Sequence, residues 1–298
     1  MKNPLQNPTK IITSFNSYSY HEEELENLIQ SGNRWFGERF EFQNTYEFNF
    51  SFPNMMDNVQ SFISINTAAR SVNPSTFNVE LNGSYIGSIN TAPVAAFGYE
   101  YAKSGSLNTS FISASNDLNV RLNFVKQENT ALGWLDDIVV NTRSSLRLSG
   151  NYLNFRDIEH LGNEIGQYRI ENGENLEVWD ITEPINPHKL LVSNIGPDLF
   201  FNDSLDILHE YIAFNSSAYL SPNLKGVIEN QNICNTSSEV EFIIVCHPNF
   251  LFAASRLADF HLEKDDMTSI VVTPQQIYNE FSSGMQDVSA IRDFMKYQ

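Results

Sequence analysis

Cysteine is nearly absent: Cys234 and Cys246 are the only two in 298 residues. Two thiols neither build a disulfide scaffold nor supply a zinc-binding pattern, and nothing in their spacing supports a bridge between them. Positive charge is also scarce, with 18 Lys and Arg against 36 Asp and Glu, a net charge of −18. Such a surface repels phosphate backbones and anionic headgroups, which argues against nucleic acid as a partner. The acidic residues are dispersed, only His21-Glu22-Glu23-Glu24 approaching a run, and read as a solvated surface. No stretch reaches the roughly 18 apolar residues that span a membrane. The N-terminus lacks the charged-then-apolar order of a signal peptide, so an extracytoplasmic protein would begin this way only if its true start were missing. Repeats and low-complexity tracts are absent too. The triplets Asn108-Thr-Ser and Asn235-Thr-Ser arise by chance in a chain rich in Asn and Ser and carry no weight.

What is present is patterned hydrophobicity, 41% of the chain, in a length that holds two domains or one large domain with an appendage. From about Thr45 to Leu148 the period is two. Tyr46, Phe48, Phe50 and Phe52 alternate with polar residues, as do Phe77, Val79 and Leu81, and Leu118, Val120, Leu122 and Phe124. Asn82-Gly83 between Phe77–Leu81 and Tyr85–Ile89 predicts a tight hairpin, because both turn positions need positive φ. Half-buried strands at regular spacing predict an antiparallel β-sandwich of jelly-roll type, with Trp134–Val140 as its most apolar, central strand. Residues 149–225 are β-rich but less regular. There Leu176–Thr182, a Pro-stiffened turn and His188–Val192 form strand, turn and returning strand.

The C-terminal part changes character. Phe242–Cys246 is a continuous apolar run, the mark of a strand covered on both faces, and a helix follows with Phe250, Ala254, Leu257, Ala258 and His261 on one side. A second buried run, Ser269–Val272, leads into Thr273-Pro274-Gln275-Gln276, which has the composition of a capping box with Pro at the first helical position. Asp287 caps a last helix carrying Ile291, Phe294 and Met295. The order β-α-β-α-α opens a parallel α/β domain that two strands cannot complete. The chain thus reads as a fragment whose missing strands lie beyond Gln298.

With these elements placed, nearly the whole chain, from about Phe15, resembles the gingipain-like cysteine peptidases that serve as sortases of type IX secretion. The residues that carry the resemblance are Gly32-Asn-Arg-Trp-Phe-Gly-Glu38, Phe48-Asn-Phe-Ser-Phe-Pro53, Ala68-Ala-Arg-Ser71, Gly133-Trp-Leu-Asp136, Leu176-Glu-Val-Trp-Asp-Ile-Thr182, Ile277-Tyr-Asn-Glu-Phe-Ser-Ser-Gly284 and Ala290-Ile-Arg-Asp-Phe294. The resemblance implies a β-sandwich accessory domain (1–148), a β-rich connecting subdomain (149–225) and the truncated start of a caspase-like peptidase domain (226–298). It also implies an outer-membrane-associated, extracytoplasmic location. The implied partners are substrates with C-terminal secretion domains and outer-membrane secretion components such as PorV. The family tends to have His at Cys234 and Gly at Asp266; Asp tolerates the left-handed turn that Gly favours. The family's catalytic His and Cys follow later strands and have no counterparts here, so no catalytic, cofactor-binding or metal residue is assigned to this chain and the chain itself is expected to be inactive.

The local candidates read accordingly. Cys246-His247 looks like a nucleophile beside its base, but adjacent residues at a strand end point to opposite faces, whereas a dyad needs convergence. Cys246 is expected to be a buried structural thiol, His247 a support for the strand-to-helix turn, and His261 a core histidine bonded to a backbone carbonyl. Asp136, Asp137, Glu38 and Asp57 offer oxygen ligands of the kind calcium takes, without any fixed ligand spacing. Trp134 is expected on the face shared by Ile138 and Val140, in the sandwich core and not on a sugar-stacking face. The alternative function is a carbohydrate-binding or adhesive β-sandwich module.

Overall fold

The computed structural model describes residues 7–30, 34–95, 99–162, 164–224, 226–228, 230–234 and 240–298. Gly32 and Asn33 of the first quoted block, and Asn235-Thr-Ser-Ser238, lie outside them. The chain divides into two compact units, 1–221 and 222–298.

The first unit is built from strands β1 (Lys10–Ile12), β2 (Ser14–Glu22), β3 (Arg39–Phe40), β4 (Thr45–Ser51), β5 (Gln60–Arg70), β6 (Ser75–Leu81), β7 (Ser84–Thr91), β8 (Lys103–Ile112), β9 (Asp117–Val125), β10 (Leu132–Ser145), β11 (Tyr152–Arg156), β12 (Ile165–Ile170), β13 (Glu177–Asp180), β14 (His188–Lys189), β15 (Ser193–Ile195), β16 (Asp198–Ser204) and β17 (Glu210–Phe214). One antiparallel sheet runs β2-β10-β5-β8, with β3 also on β10, and a second runs β4-β9-β6-β7. Their inward residues form one core that includes Phe48, Phe50, Ile63, Ile65, Phe77, Val79, Val120, Leu122, Phe124, Leu135, Ile138 and Val140. Asn82 (φ 48°) and Gly83 (φ 77°) make the predicted turn between β6 and β7, and β10 is central as its apolar sequence predicts.

Two features of this sandwich differ from the alternation pattern. The first is that its edge strand β2 comes from the N-terminal segment, upstream of the regular period, and pairs with β10 from Glu22↔Asp137 to Ser14↔Ser145. The second is a β-bulge on β10. Leu135 pairs with Thr67 and Asp137 with Asn66, leaving Asp136 as the extra residue. A bulge adds one residue to a period of two, so every side chain beyond it changes face. Leu135 therefore joins Ile138 and Val140 in the main core. Trp134, fully buried, lies on the other face in a satellite cluster with Phe36 and Ala68, and its indole Nε1 donates to Glu26 Oε2 at 2.8 Å. The expectation that Trp134 is buried holds; the expected face is wrong, because the two-residue alternation does not continue through the bulge. Gly133, on the core side, has no room for a side chain: a Cβ there would lie 2.7 Å from Phe77 Cζ.

A second pair of sheets follows, β1-β12-β16-β15 and β11-β17-β13-β14, around a core of Ile12, Phe155, Tyr168, Ile170, Val178, Leu199, Phe201, Tyr211 and Ala213 among others. β13 and β14 are the predicted strand and returning strand. β1 is a parallel neighbour of β12, Lys10 opposite Gly166. Only Thr13 separates β1 from β2, so the N-terminal segment enters both sandwiches. The two are further joined by a buried ion pair: Arg143 of β10 bonds Asp157 Oδ1 at 2.6 Å and Asn16 Oδ1 at 2.9 Å, while His160 Nδ1 lies 2.6 Å from Asp157 Oδ2.

The second unit contains β18 (Phe242–Val245), a 3-10 turn (Pro248–Phe250), α1 (Leu251–Asp265), β19 (Ser269–Val272), α2 (Pro274–Phe281) and α3 (Val288–Tyr297). β18 and β19 are parallel, Phe242 opposite Ser269, with α1 as the crossover. Ile243, Val245, Ile270 and Val272 pack with Ile233, Ile277, Ala290 and Phe294, while Phe242 meets His261 of α1 edge-on at 5.0 Å. The caps are those predicted: Thr273 N donates to Gln276 Oε1 and Gln276 N to Thr273 Oγ1, and Asp287 Oδ1 accepts from Ser289 N. Asp266 ends α1 in the left-handed conformation at φ 54°. Both strands are half-buried except for Val272, and Ala254 alone is buried on α1, with Phe252, Phe260 and Leu262 all more than half exposed.

Candidate functional site

The carboxyl ends of β18 and β19, where an open parallel sheet places its chemistry, carry Cys246, His247 and Thr273. Cys246 donates its backbone N–H to Val272 O at 3.0 Å, and its side chain is half-buried where a buried thiol was expected, because a two-stranded sheet supplies few neighbours at the strand end. His247 is exposed, and its Nδ1 accepts from Asn249 N at 3.2 Å. It caps the 3-10 turn, the supporting role its place before Pro248 suggested. Among the described residues neither cysteine is hydrogen-bonded to a histidine.

His261 is half-buried on α1 but bonds Asp265 Oδ2 at 2.7 Å and no backbone carbonyl, because residues four apart on a helix are neighbours. Cys234 is held against Glu280, whose Oε1 accepts from Ile233 N at 3.0 Å. Burial, and then the Glu280 carboxylate, push the Cys234 thiol up to about 11. Of the oxygen-bearing candidates, Asp136 pairs with Arg34 at 2.6 Å, and Asp137 accepts from Asn66 Nδ2 at 2.9 Å. Glu38 lies 2.8 Å from His21 Nε2, and Asp57 is exposed. Burial raises the Asp137 carboxyl against the opposing bond from Asn66. Asp136, Asp137 and Glu38 are each engaged with a different partner, and the four acids do not converge.

A convergence does occur inside the second sandwich, at residues the sequence patterns did not single out. Asp180 follows Val178 on the inward face of β13, and Asp203 follows Leu199 and Phe201 on the inward face of β16, so the two carboxylates approach from facing sheets. His209, just before β17, completes a buried group whose ligand-capable atoms lie within 4.8 Å of one another. Thr182 donates to Asp180 Oδ1 through its N–H at 3.0 Å and its hydroxyl at 2.5 Å, and His209 Nδ1 is 3.2 Å from Asp180 Oδ2. Asp203 accepts from Ser204 N at 2.9 Å and from the Tyr211 hydroxyl at 3.1 Å. Burial works to raise the Asp180 carboxyl, but the bonds from His209 and Thr182 outweigh it and hold the group well below the ordinary carboxylate range. The same burial pushes the Tyr211 and Tyr168 phenols far up. An Asp on the inward parity of an otherwise apolar strand was the signal available in the sequence.

Comparison with known proteins now bears on the second unit. Residues 235–298 match the family model of Peptidase family C25. The whole chain superimposes on the crystal structure of dimeric latent PorU from Porphyromonas gingivalis with a TM-score of 0.83, at 24% identity, covering 100% of this chain and 29% of that one. Both findings bear out the resemblance read from the sequence. The chain thus spans less than a third of the length of PorU. A carbohydrate-binding module, CBM36 in complex with calcium and xylotriose, aligns at a TM-score of 0.27 and 16% identity, covering 42% of this chain and 98% of the module; a likeness that slight carries no argument. Among curated proteins nothing matches. No helix among the described residues is long and apolar enough to cross a membrane.

Proposed function

We propose that this chain is the accessory β region and first part of the peptidase domain of a gingipain-like cysteine endopeptidase, a sortase that removes C-terminal targeting domains from type IX secretion substrates at the cell surface. The observation that carries this is the PorU-like fold along the entire chain together with the family match over residues 235–298. The proposed organisation is a jelly-roll-like sandwich (1–148), a β-rich connecting subdomain (149–225) and the start of a caspase-like domain (226–298), in an extracytoplasmic protein that meets its substrates and PorV-type components at the outer membrane. β18, α1 and β19 supply the first parallel crossover of that domain, and the exposed Phe252, Phe260 and Leu262 of α1 are the apolar surface its further elements would cover.

In the whole enzyme a cysteine thiolate attacks the scissile carbonyl, the peptide nitrogen leaves with a proton from a histidine, and water or an amine resolves the thioester. The nucleophile and base come from later strands. Cys246 and His247 serve the sheet end and its turn. Trp134 and the alternating phenylalanines are buried and so offer the carbohydrate-module alternative no stacking face.

The test is genetic and biochemical. In a type IX-secreting host lacking this gene, the full-length protein should restore removal of C-terminal domains, and this chain alone should not. Uncleaved substrate in the presence of the full-length protein would overturn the proposal. Peptide turnover by the isolated chain that Cys246→Ala abolishes would move the nucleophile to Cys246.

A further inference from the structure

Two strand edges of the first unit open onto one cleft with their main-chain groups unused. We propose that an extended, basic segment of another protein docks in this cleft and adds itself to β2 as an antiparallel strand.

β2 closes one end of the sheet β2-β10-β5-β8, and β11 closes one end of β11-β17-β13-β14. The register fixes which groups each edge leaves over. Leu146 N donates to Thr13 O at 2.7 Å, one step beyond the pair Ser14↔Ser145. Phe15, Ser17, Ser19 and His21 therefore bond β10, and the N–H and C=O of Asn16, Tyr18 and Tyr20 point to the free edge. On β11, Asn215 N donates to Asn151 O at 3.2 Å, one step beyond Tyr152↔Phe214. The main chain of Asn154 and Arg156 is thereby turned away from β17. Among the described residues no backbone hydrogen bond fills these positions. Both edges line one cleft of about 390 Å³, with Ile181 and Glu210 in its wall. The Arg156 guanidinium bonds Glu210 Oε1 at 2.8 Å and lies 4.6 Å from the centre of the Tyr18 ring, which ties the two strands together across the cleft.

A row of alternating donors and acceptors at strand spacing is complemented by a second extended main chain, the mode of recognition in which a peptide adds a strand to a sheet. β2 lacks the devices that protect an edge: Ser14–Glu22 contains no lysine and no proline, and its pairing with β10 has no bulge. Tyr18 and Tyr20, 51% and 63% exposed, stand beside the edge, where side chains of an added strand would pack. Charge selects the kind of segment. Arg156 is neutralised by Glu210, whereas Glu22, Glu23 and Glu24 are exposed where β2 ends. A strand antiparallel to β2 begins beside these carboxylates, so lysine or arginine at its N-terminal end is attracted and an acidic segment is repelled. A second copy of this chain, with a net charge of −18, brings the wrong sign.

The probe is a fluorescein-labelled nonapeptide of alternating valine and threonine that begins with a pair of lysines, titrated with the whole chain and read by anisotropy. Saturable binding is expected, weakened about tenfold or more in Tyr18→Pro. Proline there removes an outward N–H and leaves the bonds to β10 intact, so the variant should keep the wild-type circular dichroism. Should it fail to fold, the same peptide with methylated amide nitrogens decides on the wild-type chain: it should bind at least about tenfold more weakly. Exchanging the lysines for glutamates should weaken binding several-fold, and combining Glu22→Gln, Glu23→Gln and Glu24→Gln should abolish that difference. Absence of binding, or equal binding of the methylated peptide, would overturn the proposal. So would a dimer in sedimentation that Tyr18→Pro dissolves, which gives the edge to a second copy. Binding by this chain but not by the full-length protein would likewise overturn it, since the edge would then be covered from within.

Discussion

Replacing Trp134 by alanine probes the consequence of the β10 bulge. The indole is fully buried, packs with Phe36 and Ala68 and donates to Glu26. Truncating a buried aromatic costs about 3–5 kcal/mol, which in a unit of this size lowers the melting temperature by about 6–20 °C. Trp134→Phe keeps most of the packing and removes the bond to the Glu26 carboxylate, a loss of about 1.5–3 kcal/mol. The decisive measurement is a pair of double-mutant cycles by urea denaturation. With the indole on the outer face of the sheet, Trp134→Ala and Phe77→Leu should be additive within about 0.5 kcal/mol, while Trp134→Ala and Phe36→Ala should couple by about 0.5–3 kcal/mol. Coupling to Phe77 without coupling to Phe36 would put the ring in the main core and refute the face assignment.

Four further outcomes follow from the geometry. Gly133→Ala forces a Cβ to 2.7 Å from Phe77 Cζ and should destabilise by about 1–3 kcal/mol in the same denaturation assay. Asp157→Ala leaves the buried Arg143 guanidinium with only the exposed Glu159 carboxylate, 3.6 Å away, as an ionic partner and should cost about 3–5 kcal/mol, most of it recovered when Arg143→Met is added. In the Cys246→Ala chain at pH 8, Cys234, with its thiol raised to about 11, should react with a disulfide reagent on the order of tenfold more slowly than a free thiol; an equal rate would contradict its placement against Glu280. Because the Asp180 carboxyl is depressed in the fold, its contribution is fully present above the unfolded value of about 4 and is lost as pH falls through the folded value. Asp180→Asn should therefore flatten the acid limb of a stability profile measured between pH 6 and 2.

Local signals in the sequence were reliable wherever the physics was local. Asn82-Gly83 demanded positive φ at two adjacent positions and took it, and Thr273, Pro274 and Gln276 needed only one another to start α2. The alternation of Phe48, Phe50, Val120 and Leu122 likewise named the core directly. Errors arose where one position altered the phase or where the partner was remote. Asp136 looks like any residue of a strand, yet as the bulge it moved Trp134 to the opposite face. β1 and β2 lie outside the regular period because their partners, β12 and β10, are far along the chain. Asp180, Asp203 and His209 share no spacing that a motif could capture, and only the facing of two sheets brings them together. His261 found Asp265 instead of a carbonyl because a carboxylate one helical turn away is the nearer acceptor.

The N-terminal segment has a consequence for the order in which the molecule assembles. Thr9 bonds the carbonyl of Ile165, 156 positions away, and β2 awaits β10, itself more than a hundred residues downstream. During synthesis, β1 and β2 therefore emerge long before either partner exists, while the hairpin of β6 and β7 closes at once. Both sandwiches acquire an edge strand from a segment that has been waiting in the open, so the last step in each is the return of β1 or β2 to its late-emerging partner. Such long-range closure slows folding. It also means that β1 and β2 act as a latch fastened last, and a protein trimmed before Ser14 would finish with β12 exposed along one side.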